Sequence, residues 1–295
     1  MKLLKFAAID IGSNAVRLLI NNIIDDNEKP YFQKASLVRL PIRLGADVFK
    51  NGKISDTNIQ RLTDTMQAYQ LLMQTHGVTD YRAFATSAMR EAENGKKIAR
   101  HIKEKTGVEL QIIDGMLEAE LLFATRVTKK MDASKSYLYV DVGGGSTEFT
   151  LFNDGKSTAS HSFKIGTIRL LNNQVSNKKW NTLKDWLSNI KPKKKELIII
   201  GTGGNINKIS KIINGKKQPF ISNRQLRDLY KELSTLNIEQ RMRRYSMRPD
   251  RADVIVPAAR IFTTVMAVTD AKELFVPKVG LSDGMIRWMY ANNNG

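Results

Sequence analysis

None of the 295 residues is a cysteine. That excludes disulfides, thiolate metal sites and any cysteine-nucleophile phosphatase. Histidine is scarce too. His76, His101 and His161 are scattered, and none precedes an aspartate. With no His-Asp dyad and no HExxH helix, a histidine-based metal site is not expected. No 18-residue uninterrupted apolar run occurs, and Asp10 interrupts the short apolar stretch near the start. Neither a membrane span nor a signal peptide is expected, which points to the cytoplasm. Acidic residues are outnumbered: 29 Asp and Glu face 47 Lys and Arg, a net charge of +18. Such a balance attracts polyanions such as nucleic acid, anionic lipid or polyphosphate, although a solvated basic surface has the same composition. Apolar content of 42% and charged content of 26% suit a soluble globular protein, and the length suits two domains.

The stretch around residues 137–152 organises the chain. Residues 137–142 read as a buried strand and 147–152 as its return, with Gly143, Gly144 and Gly145 between them. Three glycines let the backbone adopt positive φ and leave no side chains in a ligand's way. Their successive amides can point together as an anion-binding nest. If Val142 pairs with Thr147, Asp141 sits across from Glu148, with Cβ atoms about 5 Å apart. Facing carboxylates repel, so a cation, a shared proton or a reacting water belongs between them. Together these features suggest metal-assisted phosphate chemistry; a plain hairpin with two solvated acids is the alternative.

The same pattern stands at the start of the chain. Asp10-Ile11-Gly12 matches Asp141-Val142-Gly143 at an offset of 131 residues, and Arg17 occupies the place of Glu148. The repeat predicts two related α/β halves, each with a hairpin loop and a strand-to-helix loop, able to face one cleft. The expected domains are residues 1–125 and 126–295, with the last helix, about 282–292, free to pack back on the first. A helix over residues 56–75 is expected, capped by Ser55 and stopped by Gly77. Residues 41–45 read as a loop. Residues 81–85 read as a strand that runs into a helix start at Thr86. There the free amides could bind an anion, and Arg90 could reach it unless it forms a surface salt bridge. Asp114 caps a helix extending to about residue 130. Its Glu118 is expected among Met116, Leu117, Ala119, Leu121 and Leu122. Residues 196–200 form a strand leading through Gly201, Gly203 and Gly204 into another helix. Pro257 is expected to kink a helix over residues 251–268. Basic stretches lie at Arg241, Arg243, Arg244, Arg248 and Arg251, and at Lys193, Lys194 and Lys195. The P-loop look-alike at Gly155-Lys156-Ser157 lacks its first glycine, and the run from Gly201 lacks the last glycine of a dinucleotide fingerprint.

Five segments, taken in order, carry a resemblance: residues 8–14 (with Asp10, Ser13 and Asn14), 85–90 (ending in Arg90), 112–119 (with Glu118), 140–148 (Asp141 to Glu148) and 251–255 (starting at Arg251). Together they resemble the exopolyphosphatase and guanosine pentaphosphate phosphohydrolase family, in its short two-domain form. That family lies within the actin, sugar-kinase and heat-shock-chaperone superfamily. The resemblance implies two duplicated actin-like (ribonuclease H-like) α/β domains flanking an active-site cleft. It implies that Glu118 activates the attacking water and that Asp141 and Glu148 serve magnesium, or manganese, and the catalytic water. Ser13, Asn14, Gly144, Gly145 and Ser146 match phosphate-loop positions, and Gly203 and Gly204 match the second-domain loop, all implied to bind substrate. Arg90 matches a phosphate clamp, and Arg17 and Arg251 are candidates for further phosphates. Leu117 departs from the pattern, because the family often has an acid there. The implied substrate is inorganic polyphosphate or guanosine pentaphosphate. A superfamily kinase and a nucleic-acid-binding protein are the alternatives, the latter weakened by the lack of aromatic–basic alternation. A homodimer is compatible with the pattern.

Overall fold

A computed structural model describes residues 2–25, 30–125, 132, 134–154, 156–192, 195–215, 218–277 and 279–293. It divides into two units. One comprises Met1–Thr125 with Leu281–Gly295, the other Arg126–Gly280.

The first unit contains β1 (Lys2–Ile11), β2 (Val16–Asp25), β3 (Tyr31–Leu40), α1 (Leu44–Asn51), α2 (Asp56–His76), β4 (Asp80–Ala85), α3 (Ser87–Glu91), α4 (Gly95–Thr106), β5 (Leu110–Ile112) and α5 (Gly115–Phe123). The second contains β6 (Ser136–Val142), β7 (Thr147–Asn153), β8 (Lys156–Phe163), α6 (Thr167–Leu171), α7 (Asn177–Ile190), β9 (Leu197–Thr202), α8 (Gly204–Asn214), β10 (Phe220–Ser222), α9 (Asn223–Thr235), α10 (Ile238–Tyr245), α11 (Pro249–Ala252), α12 (Ile255–Thr269) and β11 (Glu273–Phe275). The last helix, α13 (Leu281–Asn293), belongs to the first unit.

The first sheet has the order β3-β2-β1-β4-β5 and the second β10-β11-β9-β6-β7-β8. Reading β6 for β1, β7 for β2, β8 for β3, β9 for β4 and β11 for β5 superposes the two orders, with β10 an addition at the edge. The inner strand pairs β1–β4 and β6–β9 are parallel, and both hairpins are antiparallel. The repeat extends to a defect. Register slips between Ile20 and Asn21 in the first unit, and between Leu151 and Phe152 in the second. Those positions also differ by 131.

Strand β1 is apolar on both faces because both are covered. Ala7, Ile9 and Ile11 face Leu62, Met66 and Tyr69 of α2. Phe6 and Ala8 face Leu121 of α5 and Met285, Ile286 and Met289 of α13. In the second unit Leu138, Val140 and Phe149 pack with Leu183 of α7, Leu229 of α9 and Phe262 of α12. The stretch Pro249–Thr269 is long and apolar enough to cross a membrane by length and composition alone, but 56% of its most apolar window is buried inside the protein. Core packing accounts for its hydrophobicity.

Ser55 caps α2 through the Asn58 amide, and Gly77 stops it in a left-handed conformation, as expected. Other expectations need correction. Leu44 and Gly45, the last two residues of the expected loop, instead open α1, because burying Leu44 and Val48 outweighs the cost of Gly45 in the first turn. α4, with Ile98 and Ile102 buried, and the three-residue β10 were not anticipated. The expected helix over 251–268 is broken one turn before Pro257, between α11 and α12, where the Asp253 carbonyl gets no amide from the proline. Pro257 is the third residue of α12, where an amide has no intrahelical partner to lose. The described part of α5 ends at Phe123, and residues 126–130 lie outside the described residues.

Candidate active site

In the first unit the β1–β2 register places Asp10 opposite Arg17, and their side chains meet at 2.6 Å. The turn between them is held from outside. The Ser13 carbonyl accepts the Gly45 amide at 2.8 Å, and the Asn14 carbonyl accepts the Arg43 amide at 3.2 Å. In a trans peptide the carbonyl of one residue and the N–H of the next point in opposite directions. The amides of Asn14 and Ala15 therefore face away from α1. The Ser13 hydroxyl meets the Ser87 hydroxyl at 2.8 Å, with both residues buried, so the hairpin turn and the β4–α3 loop form one polar surface.

The side chain of Asp114 caps α5 through the Leu117 amide at 2.8 Å. One residue on, Glu118 is only 8% exposed. The Arg90 guanidinium donates to the Ile113 carbonyl at 2.6 Å and lies 4.0 Å from the Glu118 carboxylate. The clamp expected of Arg90 and the acid expected of Glu118 are thus neighbours. Met116 does not hem Glu118 in; it is 79% exposed.

The second hairpin has the register expected from the sequence, with Val142 opposite Thr147 and Asp141 opposite Glu148. Its turn is held by α6. The Gly143 carbonyl accepts from the Thr167 amide at 3.0 Å, the Gly144 carbonyl from Ile168 at 2.9 Å, and the Gly145 carbonyl from Arg169 Nε at 2.7 Å. By the same trans-peptide geometry, the amides of Gly144, Gly145 and Ser146 all point to the side away from α6. Three consecutive N–H groups on one side make an anion nest. The close approach of α6 depends on Gly166, where a Cβ would stand 2.3 Å from the Gly144 carbonyl oxygen.

The two facing carboxylates are individually fixed. Asp141 Oδ1 accepts from the Thr202 hydroxyl at 2.7 Å. Glu148 is buried, and its Oε1 accepts from Ser146 at 2.5 Å and Ser162 at 3.0 Å. An all-oxygen set with paired carboxylates fits a hard divalent cation such as Mg2+ or Mn2+. Behind Asp141, Gly203 has φ +97, and a Cβ there would lie 3.1 Å from Asp141 Oδ1, so the loop needs glycine for conformation and space alike. The Arg251 guanidinium covers Gly204, where a Cβ would lie 2.7 Å from Nη1, and it donates to Asn205 Oδ1 at 2.8 Å. A cation thus stands at the N-terminus of α8, where the helix dipole already favours anions. Burial, and then the positive charges of Lys211 and Arg251, pull the Lys208 ammonium below the ordinary lysine value.

Within their own units, Arg90 stands beside Glu118, Asp141 opposite Glu148, and Arg251 over Gly204. Arg17 is engaged by Asp10. Arg241 is a structural cap on the Leu233 and Ala252 carbonyls, and Arg244 pairs with Glu232. Lys195 pairs with Asp154 at 2.5 Å, and Lys193 and Lys194 lie outside the described residues. Sequence reasoning missed Gly166, Arg169, Thr202 and Ser162. Only the parallel β6–β9 register, which sets Asp141 against Thr202, and the β7–β8 register, which sets Glu148 against Ser162, would have found the last two.

A doubled sheet order with glycine turns at matched positions defines the duplicated, actin-like α/β class, and known proteins narrow it. The chain belongs to the Ppx/GppA phosphatase family, whose profile matches residues 24–292. It is 33% identical over 215 residues to a bifunctional 3-dehydroquinate synthase/phosphatase of Fusobacterium nucleatum, covering 67% of this chain and 32% of that protein. It is 30% identical over 190 residues to exopolyphosphatase 1 of Mycobacterium bovis, covering 62% and 54%. The chain therefore spans about a third to a half of the length of these curated relatives. An exopolyphosphatase crystal structure from Cytophaga hutchinsonii superposes with a TM-score of 0.85 at 23% identity over 98% of each chain. An Aquifex aeolicus Ppx/GppA family member does so with a TM-score of 0.79 at 22% identity over 100% of each. These likenesses establish the fold.

Proposed function

We propose that the chain is a phosphoanhydride hydrolase that releases terminal orthophosphate from inorganic polyphosphate. The observation that carries this reading is the nest: three amides on one side of a glycine turn, beside a fixed carboxylate pair. Cleaving a terminal phosphoanhydride requires charge neutralisation, an in-line water and a positioned base. The amides of Gly144, Gly145 and Ser146 bind the terminal phosphoryl oxygens, as do Ser13 and Asn14 at the corresponding turn. Arg90, Arg251 and the loop at Gly203 and Gly204 bind phosphate oxygens further along the chain. Glu118 orients the attacking water and accepts its proton. Asp141 and Glu148 are the groups that would hold Mg2+ or Mn2+, which when bound supplies positive charge to the phosphoryl oxygens. Sequence similarity to exopolyphosphatases supports the substrate class.

If Asp141 and Glu148 hold the cation, Asp141→Asn and Glu148→Gln should each raise the magnesium concentration needed for half-maximal activity and lower the maximum, with native circular dichroism. Unchanged activity at an unchanged magnesium requirement would remove the pair from the metal role.

The runner-up substrate is guanosine pentaphosphate. A long polyphosphate neutralises more basic groups than a nucleotide and releases more counterions. Its apparent affinity should therefore fall more steeply with salt, and its hydrolysis should be the more efficient. Phosphate release from both substrates across a salt series checks this ranking. Higher efficiency on the nucleotide at every salt concentration would reverse it. Phosphoryl transfer from ATP to a small acceptor, without free phosphate, would point to a kinase instead.

A further inference from the structure

The buried guanidinium of Arg169 has no part in the mechanism above. We propose that Arg169 is a positioning residue for the anion-binding turn. By holding the Gly145 carbonyl, it keeps the Ser146 amide turned toward substrate phosphate. The inference rests on the reading of that turn as the phosphate site.

The three peptides of the turn are not held alike. Backbone amides of α6 take the first two carbonyls, through Thr167 at 3.0 Å and Ile168 at 2.9 Å. The third peptide, Gly145–Ser146, lies beyond the reach of another α6 amide. The Arg169 amide is already directed at Gly144, at 3.4 Å, and the Leu170 amide closes the helix on the Gly166 carbonyl at 3.0 Å. What holds the Gly145 carbonyl is a side chain, Arg169 Nε at 2.7 Å. None of the three turn glycines adopts positive φ, and the ready rotation is in ψ: with no Cβ, Gly145 leaves the peptide that follows it a wide range of orientations. Were this one to flip, an N–H of the nest would be exchanged for a carbonyl oxygen facing the phosphate. The loss would be a preorganised donor, and the replacement would repel the ligand.

Arginine suits this task chemically. Nε is a donor in a rigid plane, so its direction is set once the side chain is packed, and Arg169 is only 8% exposed. Its charge stands behind the turn and adds to the positive potential that the amides present on the other side. Lysine would keep the charge but lacks a donor at the Nε position.

The test uses the full chain and two variants, Arg169→Ala and Arg169→Lys. Orthophosphate binding is read by calorimetry and by product inhibition, turnover by phosphate release from polyphosphate, and folding by circular dichroism and melting temperature. Both variants should weaken phosphate binding by about tenfold, the size of one lost hydrogen bond to a charged group. Turnover should fall with it. Added methylguanidinium should restore phosphate binding and activity to the alanine variant, whereas ammonium should not, a split that a purely structural role would not produce. If the alanine variant does not fold, the lysine variant decides: weak phosphate binding at a native melting temperature supports the assignment. Wild-type phosphate affinity and turnover in Arg169→Lys would overturn it, as would a folded alanine variant that methylguanidinium fails to rescue. These outcomes are separate from failure of the proposed activity, which would show as a wild-type chain that releases no phosphate.

Discussion

Glu118→Gln is expected to lower turnover by at least about a hundredfold while polyphosphate still binds, the usual size of a general-base contribution. Glutamine keeps the shape of the side chain and loses its ionisation. The position favours a clean comparison. The backbone around Glu118 is fixed independently of its carboxylate, by the Asp114 cap on α5 and by the bond from Arg90 to the Ile113 carbonyl. With Arg90 Nη1 at 4.0 Å from the carboxylate, removing the charge also frees the guanidinium from a partner. Binding of the anionic substrate should therefore be kept or slightly strengthened, and the loss should fall on kcat rather than KM. Near-normal turnover would remove Glu118 from the mechanism. A loss confined to KM would make it a binding residue.

Gly166→Ala should be equally severe for a different reason. Its backbone is extended, with φ −134 and ψ 167, so alanine meets no conformational penalty there. The obstacle is space. A Cβ would stand 2.3 Å from the Gly144 oxygen and 2.5 Å from the carbonyl carbons of Gly144 and Gly145. All three are backbone atoms, so no rotamer change relieves the clash. Either α6 withdraws or the glycine turn moves, and in both cases the three carbonyls lose their donors. Activity should fall by more than about a hundredfold, comparable to losing an oxyanion-type donor, with a stability loss of about 1–3 kcal/mol from overpacking. Gly77→Ala is the control. It strains a left-handed helix stop remote from the turn and should lower the melting temperature while leaving kcat alone. If Gly166→Ala melts and turns over like wild type, α6 does not hold the turn.

The parts of the site that could be read from the sequence are those that local patterning fixes. Apolar runs on either side of a glycine turn set a hairpin register. Opposing Asp141 to Glu148, and Asp10 to Arg17, followed from counting residues across the turn. Ser55 and Gly77 bounded α2 because caps are local chemistry. The repeat at a fixed offset gave two α/β units before any packing was known. What stayed hidden depends on contacts distant in sequence. Arg169 stands 24 residues after the carbonyl it holds, in a five-residue helix with no patterning of its own. Thr202 meets Asp141 across a parallel pair, for which no turn sets the register. Composition is likewise silent on what a basic residue does: Arg241, within a basic stretch, spends its donors on helix-end carbonyls.

The paired register slips carry a historical consequence. A bulge inserts one residue into one strand of a pair, and the ladder is locally broken to accommodate it. Its recurrence at Ile20/Asn21 and Leu151/Phe152, at the same offset as the two aspartates, is best explained by inheritance: a half-length ancestor was already kinked when it was copied. The copies then diverged in electrical character. One hairpin kept its aspartate neutralised by Arg17, and the other set Glu148 against it. The first hairpin is electrically balanced within itself, whereas the second sets two carboxylates face to face, an arrangement from which a cation site can be built.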